Sequence, residues 1–220
     1  MSALFTPCLD ILPPAQRRLW DELGEIPPRF VLYGGTAIAL QLGHRASDDF
    51  DFFSDSPLDP VVPLPAYSFL QGATVTQRDP DSLSCIVDRG GPVKVSFFGV
   101  PRLKRLYPLL VAPNGVRLAS LCDLAGTKAR VVQVRAEAKD YIDIDALIVR
   151  GITLPQALSC ALAMYGADFN PQITLKALCF FGEGSLHALP QAIKTRLVTA
   201  VAGVDLDRLP ELENGPEGKP

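Results

Sequence analysis

Two aspartates one residue apart, Asp49 and Asp51 in the run DDFDFF, are the side chains of this sequence best suited to chemistry. They alternate with Phe50 and Phe52, so on an extended strand both carboxylates face one side and both rings the other. Carboxylates about 5 Å apart at an effective dielectric near 20 repel by roughly 3 kcal/mol. Either one is protonated or a cation neutralises both. Oxygen-only ligands suit a hard ion that keeps several waters, which points to Mg²⁺ (or Mn²⁺) bridging protein carboxylates and nucleotide phosphates.

Upstream, Gly34 and Gly35 end the apolar run FVLY and open the segment TAIALQLG. Backbone N–H groups at such a turn, at the positive end of a helix, form a seat for phosphate, and Thr36 adds a hydroxyl donor. His44 is read as a positioning residue, and Arg45 and Ser47 as braces of the acid loop or contacts to phosphate. Taken alone, each motif has a plain structural reading as a turn or a solvated strand end. Their order of glycine turn, short helix and acid pair is what lets a phosphate and its metal meet.

A second charged group follows in SLCDLAGTKARVVQVRAEAKDYIDIDAL. At helical spacing Lys128 falls in the stripe of Leu121, Leu124, Ala125 and Val132, while Asp140 and Asp143 share a face with Ile144, Leu147 and Ile148. Charges on core-facing stripes are costly unless paired or placed at a cleft. One reading is an ion pair that pins two helices. The other has Lys128 on nucleotide phosphates, Asp140 or Asp143 orienting it or assisting proton transfer, and Arg135 and Lys139 on phosphate or acceptor.

The elements that must position these groups are legible in outline. A proline-started helix runs from Pro14 to about Gly24, FVLY and FDFF are strands, and TAIALQLG is a helix stopped by Gly43. The cluster Pro57, Pro60, Pro63 and Pro65 reads as a loop. ATVTQR, LSCIVDR and VKVSFF carry strand patterning, the last two joined by a Gly90-Gly91-Pro92 hairpin. After Asn114-Gly115 the chain turns helical, with Ser120 and Asp123 capping a helix that runs to about Val134, then KDYIDIDALIVR and three proline-led helices. The expected architecture is α+β (α/β): a mixed-sheet core over 1–115, a helical region over 116–204, and a disordered tail over 205–220.

Composition excludes several classes. A formal net charge of −3 rules out a broadly basic coat for nucleic acid. Five scattered cysteines without ligand spacing argue against a disulfide framework or a zinc site. The longest uncharged run is too short and too polar for a membrane span, no targeting segment is evident, and a cytoplasmic protein is expected.

The run GGTAIALQLGHRASDDFDFF resembles the signature of the nucleotidyltransferase superfamily that includes DNA polymerase β. It is most similar to the branch of abortive-infection AbiEii toxins of type IV toxin–antitoxin systems, through His44, Arg45, Ser47, Asp49, Asp51 and Phe53. The downstream Lys, Arg and Lys-Asp-x-x-Asp pattern is similar as well. The resemblance implies a polymerase-β-like mixed sheet followed by a helical bundle, transfer of a nucleotide from an NTP to a tRNA 3′ end or a protein, and a cognate antitoxin. One departure stands out: polymerase-β-like enzymes carry a third carboxylate on a neighbouring strand, and here VKVSFF offers Ser96 or Lys94. The rival expectations are a nucleotide-binding regulator that has lost catalysis and a structural or interaction protein.

Overall fold

The computed structural model describes residues 3–58 and 67–212. They divide into a sheet unit, Met1–Leu103 with Pro108–Ala119, and a helical unit, Lys104–Tyr107 with Ser120–Pro220.

The sheet unit holds eight strands: β1 Ala3–Leu4, β2 Val31–Tyr33, β3 Asp49–Ser54, β4 Thr74–Asp79, β5 Ser82–Asp88, β6 Pro92–Gly99, β7 Leu110–Val111 and β8 Arg117–Leu118. Their order is β1-β7-β8-β2-β3-β6-β5-β4, a mixed sheet in which β3 runs antiparallel to β2 and parallel to β6. Apolar alternation sets the faces. Along β3, Phe50, Phe52 and Ser54 are buried while Asp49, Asp51 and Phe53 are half-buried. The buried face carries the core: Trp20 stacks on Phe50 at 6.1 Å and Phe52 on Phe97 at 5.6 Å. The hairpin between β5 and β6 closes on Asp88, whose Oδ1 accepts the N–H of Gly90 (2.8 Å) and Gly91 (2.9 Å). No single helix among the described residues is long and apolar enough to cross a membrane.

Two helices belong to this unit, α1 Pro14–Trp20 and α2 Gly34–Leu42. The first is shorter than its sequence pattern implies. Asn114 Nδ2 takes the Trp20 carbonyl at 2.7 Å, and the chain tightens into a 3-10 turn over Asp21–Glu25. Gly43, at φ +65°, ends α2 in the left-handed conformation expected of a C-terminal glycine.

The helical unit contains α3 Leu121–Val131, α4 Ala138–Val149, α5 Leu154–Tyr165, α6 Pro171–Leu178 and α7 Gln191–Ala202. Ser120 caps α3 by accepting from Asp123 N at 3.0 Å, and Thr153 with Gln156 forms a capping box on α5. Leu158, Leu178 and Leu197 are fully buried in its core, with Tyr141 and Ile144 beside them. Gly126 lets α3 meet α5 closely, since a β-carbon there would lie 3.0 Å from the Ala161 nitrogen.

Some expectations need correction. The chain after Gly115 is not all helical, because Arg117–Leu118 forms a short strand paired with both β2 and β7. Strands of two residues carry too little alternation to be read from sequence. The α3 helix ends at Val131 rather than near Val134, and beyond it Gln133 N–H turns back to the Arg130 carbonyl and Val134 and Arg135 N–H to the Val131 carbonyl. The expected disordered tail does not begin at Asp205. That residue caps a 3-10 turn over Leu206–Arg208, and Ser159 Oγ donates to Pro210 O at 2.8 Å. Pro60, Pro63 and Pro65 of the proline loop, and residues 213–220, lie outside the described residues.

Candidate active site

Register brings the glycine turn and the acid pair together. Tyr33, the last residue of β2, pairs with Asp51, so Gly34 follows directly beside that carboxylate. Gly34 has φ +72°, and a β-carbon on it would sit 3.0 Å from Asp51 Oδ2. Only glycine takes this conformation without strain while leaving the space open. The nine-residue α2 helix starts here with no side chain capping it, so its first backbone N–H groups face the turn. A helix mouth beside two carboxylates on one sheet face suits an anion bridged by a cation.

Thr36 does something other than the expected phosphate contact. Its hydroxyl is buried, lies 2.7 Å from Ser47 Oγ and donates to the Asp49 carbonyl. A hydroxyl has one hydrogen, so Ser47 donates to Thr36 and Thr36 to Asp49. The pair fixes the backbone from which the Asp49 carboxylate projects. Ser47 is thereby a brace of the acid loop. His44 and Arg45 are half-buried in the link between α2 and β3, where Arg45 Nη1 donates to Ala46 O at 2.9 Å.

Across β3, each aspartate has a partner on β6: Lys94 for Asp49 and Ser96 for Asp51. Ser96 is fully buried and receives a hydrogen bond from Ser84 Oγ at 3.0 Å. No group of three or more His, Cys, Asp or Glu among the described residues is placed to hold a metal ion. Two carboxylates fit an ion such as Mg²⁺, which completes its shell with waters and substrate phosphate oxygens.

The second constellation lies within the helical unit. Lys128 Nζ on α3 donates to Asp140 Oδ1 at 2.6 Å and pairs with Asp143 Oδ2 at 2.7 Å, both on α4. The lysine side chain is 5% exposed and the two aspartates 0%. Arg135 adds a two-pronged contact to Asp140 at 2.7 and 2.9 Å. Burial pushes the Asp140 carboxyl up, but Arg135 and Lys128 together outweigh it and hold it below the usual carboxylate range. This is the geometry of an ion pair pinning two helices. Lys139 is exposed and pairs only with Glu137, at 3.2 Å, among the ion pairs of the described residues.

Residues 18–212 match the family described as the nucleotidyl transferase AbiEii toxin of type IV toxin–antitoxin systems. The chain belongs to the AbiEii family. An uncharacterized protein of Aquifex aeolicus is 34% identical over 163 residues, covering 70% of this chain and 74% of that one. The nucleotidyltransferase toxin MenT4 of Mycobacterium tuberculosis H37Rv superposes with a TM-score of 0.61 at 17% identity, covering 87% of this chain and 83% of the other. At that identity the likeness speaks for the fold, and the fold is the nucleotidyltransferase one. This AbiEii-family protein is thus a nucleotidyltransferase in a toxin–antitoxin family, with an NTP as the substrate class that membership implies.

Two features of this AbiEii-family protein depend on contacts that no single segment discloses. The pairing of Lys94 with Asp49 depends on strand register, which a single strand does not disclose. Asp123 does more than cap a helix: it accepts N–H groups from Leu106 (2.9 Å) and Tyr107 (3.4 Å) as well as the Ser120 hydroxyl (2.8 Å). Burial pushes its carboxyl up despite those bonds.

Proposed function

We propose that this protein is a Mg²⁺-dependent nucleotidyltransferase that moves a nucleotide from an NTP to a hydroxyl acceptor, a tRNA 3′ end or a protein. The observation that supports it most is the side-by-side placement of Asp51 and Gly34 at the mouth of α2. In this reading Asp49 and Asp51 hold the ion, and the backbone N–H groups of Gly34 and Gly35 receive the triphosphate. Thr36 and Ser47 keep the acid loop in place, and His44 and Arg45 position it or contact phosphate. In the same reading Lys128 contacts a phosphate oxygen, Asp140 or Asp143 orients it, and Arg135 and Lys139 contact phosphate or acceptor. Bound Mg²⁺ supplies charge neutralisation on the phosphates.

The acceptor hydroxyl oxygen bonds to the α-phosphorus as the bond to the β-phosphate bridging oxygen breaks. Pyrophosphate leaves with that electron pair, and the hydroxyl proton passes to water. What the chain contributes is positioning and a preorganised charge pattern. A cognate antitoxin is the expected protein partner. Incubation with labelled NTPs, Mg²⁺ and bulk tRNA is expected to give transfer that Asp49→Ala abolishes. Equal labelling by wild type and variant would refute the assignment.

A second reading, a nucleotide-binding regulator without turnover, is favoured by Ser96, which is buried against Ser84 where a third carboxylate would serve as base. It predicts Mg²⁺-dependent NTP binding with no modified acceptor in a cell extract. Any turnover dependent on Asp51 would dispose of it.

A further inference from the structure

The acid face of the sheet carries a lysine that the proposed reaction leaves unused. Parallel strands β3 and β6 place Asp49 beside Lys94 and Asp51 beside Ser96. Ring contacts independently verify that paired residues share a face. Phe52 stacks on Phe97 at 5.6 Å on the buried side, and Phe53 meets Phe98 at 4.8 Å on the acid side. On that acid side Lys94 is exposed, while Asp49 and Asp51 are half-buried.

Neighbouring strands lie about 4.8 Å apart, and the four-carbon stem of lysine can swing its ammonium over either carboxylate. Further along the face, β6 and β5 offer only hydroxyls and apolar groups next to the pair. Ser96 and Ser84 are bonded to each other, and Ile86 lies beside Lys94. The one other carboxylate on that side of β5, Asp88, is engaged by the amides of its own hairpin.

Each divalent ion needs protein oxygens of its own besides those of the substrate phosphates. Here β3 and β6 bring two carboxylates and one lysine to the same face, a donor set that suits a single ion completing its shell with phosphate oxygens and water. We infer that Lys94 stands in for a second cation: the site takes one divalent ion, held by Asp49 and Asp51, and Lys94 contacts the triphosphate directly. This rests on Asp49 and Asp51 being the metal-binding pair.

The charge logic gives Lys94 a signature that a structural role does not share. Replacing it removes repulsion toward a bare ion and attraction toward the triphosphate, so the two affinities move in opposite directions. Equilibrium dialysis of the full chain with Mn²⁺, with and without each α,β-methylene nucleoside triphosphate in turn, tests this. Wild type is expected to retain one Mn²⁺ per chain in the nucleotide complex. Lys94→Ala is expected to bind Mn²⁺ alone roughly three- to tenfold more tightly and the analogue about tenfold more weakly, with Lys94→Arg near wild type. Two Mn²⁺ per chain, or a Lys94→Ala variant whose two affinities are unchanged or shift together, would overturn the inference while the metal-binding reading survives. No Mn²⁺ uptake sensitive to Asp49→Ala would overturn both.

Discussion

Gly34 and Asp51 share one small space: a β-carbon on the glycine would sit 3.0 Å from the carboxylate Oδ2, on a residue whose φ is +72°. Gly34→Ala therefore strains the backbone and crowds the acid at once. A loss of about 1–3 kcal/mol is expected in urea unfolding, together with weaker Mn²⁺ binding. Unchanged stability and unchanged Mn²⁺ affinity would mean that the turn has room the geometry does not show.

Asp49 and Asp51 lie on one face of β3, where like charges repel. Removing one charge should then leave the metal-free protein as stable as before or slightly more so. Asp49→Asn is expected to melt at or above the wild-type temperature in EDTA and to lose the rise in Tm that Mn²⁺ gives wild type. Retention of that rise would remove Asp49 from the ion's ligands.

Thr36 is expected to matter for stability and not through contact with substrate, because its hydroxyl is closed between Ser47 and the Asp49 carbonyl. Thr36→Val keeps the shape and leaves both partners unsatisfied, which costs about 1–3 kcal/mol, whereas Thr36→Ser should recover most of it. Chemical denaturation of the two variants decides the matter.

Lys128 neutralises two fully buried carboxylates, so Lys128→Met should destabilise by about 3–5 kcal/mol, far more than a surface ion pair would. Adding Asp143→Asn is expected to restore part of the loss, since Asp140 keeps its contact to Arg135. If the double variant is no more stable than the single one, the pair is not what pins α3 to α4.

The depressed Asp140 carboxyl makes a signed pH prediction. Its folded value lies below its unfolded one, so its contribution is present above the unfolded value, about 3.9, and is lost as pH falls through the lower folded value. Arg135 is one cause of that depression. Arg135→Met is therefore expected to move the acid-unfolding midpoint, followed by circular dichroism, to higher pH. A midpoint that stays put would place the depression elsewhere.

The parts of this molecule that were legible in sequence are those where one segment decides its own structure. The alternation in FDFF set β3 and the facing of its aspartates, and the prolines and Ser120 set helix starts at Pro14, Leu121 and Pro171. The core-facing stripes marked Lys128, Asp140 and Asp143 as charges that are either paired or placed at a cleft, and the structure pairs them. What stayed hidden depends on distant segments. The two-residue strands exist only because a neighbour supplies hydrogen bonds, the early end of α1 needs Asn114, and the turn of Thr36 toward Asp49 needs the loop at Ser47. Lys94 was visible as a residue in the place of an acid, but only register set it beside Asp49.

Asp123 gathers Leu106 and Tyr107 into the helical unit, although the chain then returns to the sheet unit for β7 and β8 before α3 begins. The two units are therefore threaded through one another in sequence rather than strung end to end. A single cut at residue 119 would strand the four-residue piece Lys104–Tyr107 on the wrong fragment and leave a buried carboxylate without its amide donors. Chimaeras with relatives, split reporters and truncated antigens built at that point would all inherit the defect, and exchange of the helical half has to be designed with two junctions more.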